Sequence, residues 1–315
     1  MVRRDILKMG AGLAAATTAG PALPARARLA SAEFADQRRI ATLSEGDIAY
    51  VEAGEGPRTA IFLHGWPLNG FHWRDSIAVL SQRRRCIAPD FMGLGYSEVR
   101  AEQDFSPQAQ AGMILGLMDA LGVASADIVA NDSGTGVAQF LAASHPHRID
   151  SLLLSNGDAH TNSPPEALRP ALEAARSGSL ADLIARHLAE PGFSVSALGL
   201  GHICYTDPAN LTEEAMRIYF APLLATPLRR AQFQQYGVAF EPNRLPAIEG
   251  RLKAYRGPVR MIWGTGDVHF TFEWAEWLDR TFPASRGIRK VDGAKLFFTE
   301  ERPDIVIEEA AALWA

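Results

Sequence analysis

The sequence predicts an α/β protein: a mostly parallel, doubly wound sheet with a helical cap inserted between two of its strands. Three observations predict it. Short apolar runs alternate with helix-length segments from residue 48 to residue 155 and again from residue 259 onward. Strands joined by helical crossovers run parallel, with helices on both faces of the sheet. Between those two stretches, residues 161–248 carry only helical patterns, punctuated by Pro164-Pro165, Pro191-Gly192, Pro208, Pro222, Pro227 and Pro242. Finally, Asp127-Ile-Val-Ala-Asn-Asp132-Ser-Gly-Thr-Gly136 breaks from an apolar run into small residues around one acid, the pattern of a strand turning sharply into a helix.

The elements follow in order. Residues 48–52 form an edge-like strand, and 59–63, apolar throughout, a buried one. After His64-Gly-Trp-Pro67 comes a helix over 73–80, then a strand over 85–88. Residues 109–121 make a helix ended by Gly122. The strand 127–130 feeds the sharp turn, 136–144 is the helix leaving it, and 149–155 is the next strand. The sheet resumes at 259–263, followed by a helix over 274–281, a strand over 287–291 and a last helix from Pro303. The core therefore comprises 33–160 and 249–315, and the cap 161–248. No internal repeat is present.

A sharp strand-to-helix turn crowds the backbone, so small residues are needed two before its apex and two and three after it. Ala130, Gly134 and Thr135 satisfy that rule with Asp132 at the apex; an apex at Ser133 would put Asn131 in a slot for Gly or Ala. The apex side chain stands off the backbone at the top of the sheet, where a serine would be a nucleophile. Here the reactive atom is a carboxylate oxygen. An Asp that merely caps the following helix is the plainer alternative.

Composition narrows the classes. With 47% apolar residues, the 315-residue chain can fill a large core. A net charge of −5 and the absence of a long basic run argue against nucleic acid as a partner. Arg83, Arg84 and Arg85 lead straight into Cys86-Ile-Ala-Pro-Asp90 and mark the solvent end of a strand. Cys86 and Cys204 lie in different regions, and nothing indicates a disulfide. Residues 1–32 match a twin-arginine-type export signal: Arg3-Arg4, then Ile6-Leu7-Lys8, a weakly apolar stretch from Met9 to Gly20, and Ala-x-Ala sites ending near Ala27 or Ala32. Export to the periplasm or beyond is the expectation. No apolar run is long enough for stable membrane insertion, and no pattern specifies an oligomeric state.

His64-Gly-Trp-Pro67, Arg85-Cys-Ile-Ala-Pro-Asp-Phe-Met-Gly-Leu-Gly-Tyr-Ser97, the Asp132 turn, Trp263-Gly-Thr-Gly-Asp267 and Glu300-Glu-Arg-Pro303 together resemble the α/β-hydrolase superfamily, within it the haloalkane dehalogenase and epoxide hydrolase group. The resemblance implies a hydrolase of small, largely apolar molecules. In it Asp132 attacks an sp³ carbon to form an ester, which water then cleaves. It implies backbone oxyanion donors at Trp66 and Ser133, a structural His64, and Asp267 as the acid that orients a catalytic histidine. Dehalogenases of the group place Trp after the nucleophile to grip halide; Ser133 departs from that.

The larger departure is at the histidine. Gly293-Ala-Lys-Leu-Phe-Phe-Thr299 matches the loop that should carry it, and Leu296 occupies the slot. His269, two residues past Asp267, is the first substitute, and His160, after the strand 149–155, the second. His160 and the cap residue Tyr219 are expected to contact substrate; Tyr205 and Tyr236 are the other cap tyrosines able to donate to an opening oxygen. Two other readings stand beside hydrolysis: a lyase, isomerase or cyclase that uses Asp132 as a base or a charge, and a ligand-binding protein without catalysis. No metal-ligand cluster or phosphate-cradling loop occurs, so neither metal nor cofactor is expected, and the partner is a small-molecule substrate.

Overall fold

A computed structural model of the protein describes residues 30–315 except Pro191. The export signal expected over 1–32 thus lies almost wholly outside the described residues. Nine strands form one sheet: β1 (Arg38–Thr42), β2 (Gly46–Ala53), β3 (Thr59–Leu63), β4 (Arg85–Pro89), β5 (Glu98–Val99), β6 (Ala126–Asp132), β7 (Ile149–Gly157), β8 (Val259–Gly264) and β9 (Ser285–Val291). Their order is β1-β2-β4-β3-β6-β7-β8-β9, with β5 paired to β2. From β3 to β9 every pairing is parallel, and β2 runs antiparallel to its neighbours.

The strand 48–52 is not the edge. It lies between β1 and β4, and the edge is β1, whose Arg38 and Arg39 are partly or fully exposed. A short edge strand with no fully buried residue carries little apolar signal, so the sequence pattern misses it.

Alternation along the buried strands sorts the core. In β3, Ile61 and Leu63 join the larger cluster, while Ala60 and Phe62 face the other way. The second face is covered by helices Arg74–Leu80 and Pro303–Leu313, whose Ile77, Leu80, Val306 and Ala310 pack on Phe62, Val129 and Ile262. Helices Pro107–Ala120, Ser133–Ser144 and Phe272–Thr281 bring Ile114, Leu141 and Leu278 to the first face. Between β7 and β8 the chain forms helices such as Arg169–Ser177, Leu180–Ala189, Glu213–Leu224 and Pro227–Val238.

The sheet order creates the site. The chain leaves β3 for β4 on one side and later returns to β6 on the other. Loops leaving adjacent strands in opposite directions open a crevice at the strands' carboxyl ends. The loop after β3 and the turn after β6, holding His64–Trp66 and Asp132, meet there.

Candidate active site

Asp132 ends β6 with φ 56° and ψ −126°. For a residue with a Cβ this is a strained conformation, held only when the surroundings leave no alternative. Close approach of the backbone at two neighbouring glycines supplies that constraint. A Cβ on Gly134 would lie 2.6 Å from the Leu63 carbonyl oxygen and 2.7 Å from that of His64. One on Gly157 would come within 2.3 Å of the Asp132 carbonyl oxygen. Gly134→Ala is therefore expected to lower stability by about 1–3 kcal/mol through overpacking, and to disturb the Ser133 N–H. Thermal unfolding checks the first effect.

The Asp132 carboxylate accepts a hydrogen bond from the Trp66 backbone N–H at 3.2 Å, and the Ser133 N–H donates to it as well. The two residues expected as oxyanion donors thus converge on one group. Trp66 is held by its ring, which packs against Phe233 and Phe240 with centroids 5.7 and 6.0 Å away. His64 anchors the same loop: it accepts from the Phe91 N–H at 3.0 Å and lies 2.9 Å from the Gly65 carbonyl. Burial pushes its pKa down to about 3, so the ring is neutral.

Above Asp132 lies a cavity of about 470 Å³ between the sheet and the cap. Its wall is largely aliphatic, with Leu180, Leu183, Ile184, Leu200 and Ile203 among the lining residues, and its side chains with polar atoms are Trp66, Asp132, His187, Cys204 and His269, the Trp66 indole N–H being without a partner. His187 accepts from the Leu200 N–H at 3.0 Å and burial lowers its pKa, so it adds no charge. Among the described lining residues there is no lysine or arginine.

Asp267 follows β8 and is buried. One of its oxygens accepts from Asn156 Nδ2 at 2.9 Å, the other from the His269 backbone N–H at 2.8 Å. The His269 ring lines the cavity with its Nδ1 3.4 Å from Asp267 Oδ1. Asp267 and His269 are therefore neighbours, and His269 lines the same cavity as Asp132. Leu296 lines the same cavity; its carbonyl accepts from Asn131 Nδ2 at 3.1 Å. That bond ties the loop to the residue before Asp132.

Two expected substrate contacts are corrected. Tyr219 does not face the cavity: it is fully buried and its hydroxyl donates to Glu300 Oε1 at 2.9 Å. Glu300 also accepts from the Tyr205 hydroxyl at 2.6 Å and from Arg74 at 2.5 Å, a buried hub that satisfies both phenols. His160 stacks on Trp277 with centroids 4.6 Å apart, and its Nε2 lies 3.3 Å from Glu249. It is absent from the cavity wall. The cap tyrosine that reaches the turn is Tyr236, whose hydroxyl is 3.4 Å from Ser133 Oγ.

Sequence reasoning missed Asp158. It follows β7, donates its N–H to the Asp132 carbonyl at 3.3 Å and accepts from Gln139 at 2.6 Å through its own carbonyl. Burial pushes its carboxyl up to about 7, against the Ser163 hydroxyl. The available signal was an acid directly after the strand that neighbours the turn. Asp132 itself is pushed well above the carboxylate range by burial, then by the charges of Asp158 and Asp267, against the Ser133 and Trp66 donors.

A family model described as alpha/beta hydrolase fold matches residues 60–301. The 2-hydroxymuconate semialdehyde hydrolase of Pseudomonas sp. (strain CF600) is 40% identical over 83 residues, covering 26% of this chain and 29% of that protein. A haloalkane dehalogenase of Mesorhizobium japonicum is 35% identical over 115 residues (36% and 37%), and an epoxide hydrolase of Caballeronia sordidicola 36% identical over 103 residues (32% and 31%). The aligned stretches thus span less than two fifths of each of these relatives.

Proposed function

Since this chain belongs to the alpha/beta hydrolase fold family, we propose that it hydrolyses a small, largely apolar substrate through an ester on Asp132, in the manner of haloalkane dehalogenases or epoxide hydrolases. The observation that carries this reading is a strained, buried carboxyl with two backbone N–H donors at the floor of an aliphatic cavity. In the first step a carboxylate oxygen of Asp132 attacks an sp³ carbon; the carbon–oxygen or carbon–halogen bond breaks and the leaving atom takes the electron pair. An epoxide oxygen leaves as an alkoxide and needs a proton donor, for which the unpartnered Trp66 indole N–H on the cavity wall and the Tyr236 hydroxyl beside Ser133 are the candidates. In the second step water attacks the ester carbonyl, whose oxygen gathers charge against the Trp66 and Ser133 N–H groups. Collapse of the adduct breaks the acyl carbon–oxygen bond to the substrate, which leaves as an alcohol after taking a proton, and Asp132 is regenerated.

The second step needs a base, and His269 takes the role that position 296 does not fill. It shares the cavity with Asp132, and Asp267 accepts from its backbone N–H and lies 3.4 Å from its Nδ1. His269→Ala is expected to slow turnover by roughly 10²–10⁴-fold while the ester on Asp132 accumulates. Intact-mass spectrometry after incubation with an epoxide and alkyl-halide panel reads both. Unchanged turnover would remove His269 from the mechanism.

One observation favours a second reading. Leu296 gives the carboxyls of Asp132 and Asp267 no imidazole from its own loop, and of the cavity's two histidines only His269 lies beside one of them, the setting of an acid–base enzyme that forms no ester. Turnover lost in Asp132→Asn, with no adduct at any time point in the parent protein, would select that reading over ester formation.

A further inference from the structure

A second cavity, of about 410 Å³, shares no lining residue with the one above Asp132. Its size lies in the range of small-molecule sites. Helix Pro107–Ala120 supplies Gln108, Ala111, Gly112 and Leu115, a single stripe at i, i+3, i+4 and i+7. The chain returning from the cap to β8 passes through a short turn at Pro246–Ile248 and a helix at Glu249–Leu252. It supplies a second stripe at the same spacing: Arg244, Ala247, Ile248 and Arg251. Phe140, on the helix that leaves Asp132, completes the apolar part of the wall.

Depth sorts these residues by chemistry. Ala111, Phe140 and Ile248 are buried in the core cluster and Leu115 packs against it, so the deep side of the cavity is apolar. Arg244 and Arg251 are exposed, and neither guanidinium has an acceptor or ion-pair partner among the described residues. No carboxylate lines the cavity. In a chain of net charge −5, two uncompensated cations beside an apolar floor favour an anion with an apolar body. Gly112 adds an independent observation. It sits inside a helix, where glycine is less favourable than alanine because its backbone loses more freedom. A Cβ there would meet nothing within 4 Å, so no neighbour in the fold demands a glycine. What the missing side chain keeps open is the cavity.

We propose that this cavity binds a small anionic amphiphile, with its carboxylate or phosphate head at Arg244 and Arg251 and its apolar body over Gly112, against Phe140 and Ile248. The planar fork of a guanidinium matches either head group. The cavity above Asp132 suits such a ligand poorly, because it holds a carboxyl and neither lysine nor arginine. A ligand in the second cavity touches both the core helix Pro107–Ala120 and the segment returning from the cap, and so ties the two together. The site is independent of the reaction assigned to Asp132.

Octanoate and octyl phosphate are the probes, followed by calorimetric titration and thermal unfolding of the full protein. At least one is expected to bind, to raise Tm in a saturable way and to bind more weakly as salt is added. Acetate and inorganic phosphate, which have the heads without the body, should bind at least about tenfold more weakly. Gly112→Leu fills the cavity from a position where the fold needs no glycine; it should keep the Tm of the free protein and abolish binding. Arg244→Gln combined with Arg251→Gln should weaken binding by about fivefold or more and remove most of its salt dependence. Undiminished binding in folded Gly112→Leu would place the probe elsewhere, the cavity above Asp132 included, and overturn the proposal. Acetate or phosphate binding as tightly as the octyl probes would overturn it too, by marking a bare anion site. So would the absence of binding by both octyl probes.

Discussion

Asp132→Asn is expected to abolish both product and covalent adduct, lowering turnover by at least about 10⁴-fold. Removing the nucleophile of a concerted site costs nearly as much as removing the whole set of residues that act with it. The amide keeps the shape of the carboxyl and can still meet the Trp66 and Ser133 N–H groups through its oxygen, so the fold should persist. It cannot attack carbon at a useful rate. Substrate analogues should still stabilise the variant against heat, because the aliphatic wall is untouched. Residual turnover above about a hundredth of the parent rate would place the chemistry elsewhere. An intact cavity with lost chemistry is the result that separates a reacting Asp132 from a helix-capping one.

The second large effect concerns Glu300. Its carboxylate joins Arg74 of the core to Tyr205 and Tyr219 of the cap, with His72 Nδ1 3.7 Å away. Glu300→Ala would leave a mostly buried guanidinium and two phenols without their acceptor. Breaking a buried pair from one side costs about 3–5 kcal/mol, which at roughly 2–4 °C per kcal/mol predicts a fall in Tm of ~6–20 °C. Glu300→Gln, which keeps the acceptor oxygen, should fall between the two.

The same hub predicts a pH dependence. Burial alone would raise the Glu300 pKa, but Arg74, then His72 and the Tyr205 hydroxyl, more than offset it and hold the group at about 2. A folded pKa below the unfolded one means stability that is complete above about 4.5 and lost as the pH falls toward 2. In that window the parent protein should lose Tm faster than Glu300→Gln does. Parallel curves for the two would show that Glu300 contributes nothing through its charge. Cap and core share this hub, so its loss should also loosen the cap, read as faster proteolysis of the 200–224 segment.

Much of the site was legible because its signals are local. The turn at Asp132 needs Gly134 against the Leu63 and His64 carbonyls, and that demand falls on residues within a few positions of the apex. The buried strands β3, β6, β7 and β8 announce themselves as apolar runs for the same reason: each residue reports its own burial. The exposed strand β1 and the two-residue β5 report nothing of the kind, so they were missed. Tyr219 shows where local reading stops. Its helix has apolar residues on more than one side, and only the acceptor it meets, Glu300, 81 residues later, decides that it serves the core. Tyr236 lies on another cap helix, equally unmarked, and it is the one beside Ser133.

The sequence by itself determined the α/β alternation, the inserted helical stretch and the acid at the sharp turn. Each is a matter of residue type at short spacing. Only the tertiary structure decided which side chains share the crevice: that His269 stands beside Asp267 at the wall, that His160 turns away to Trp277, and that Asp158 lies against the turn. The reason is physical. Periodicity encodes which face of an element is buried, while the orientation of one buried polar side chain depends on a partner whose distance along the chain no local pattern carries.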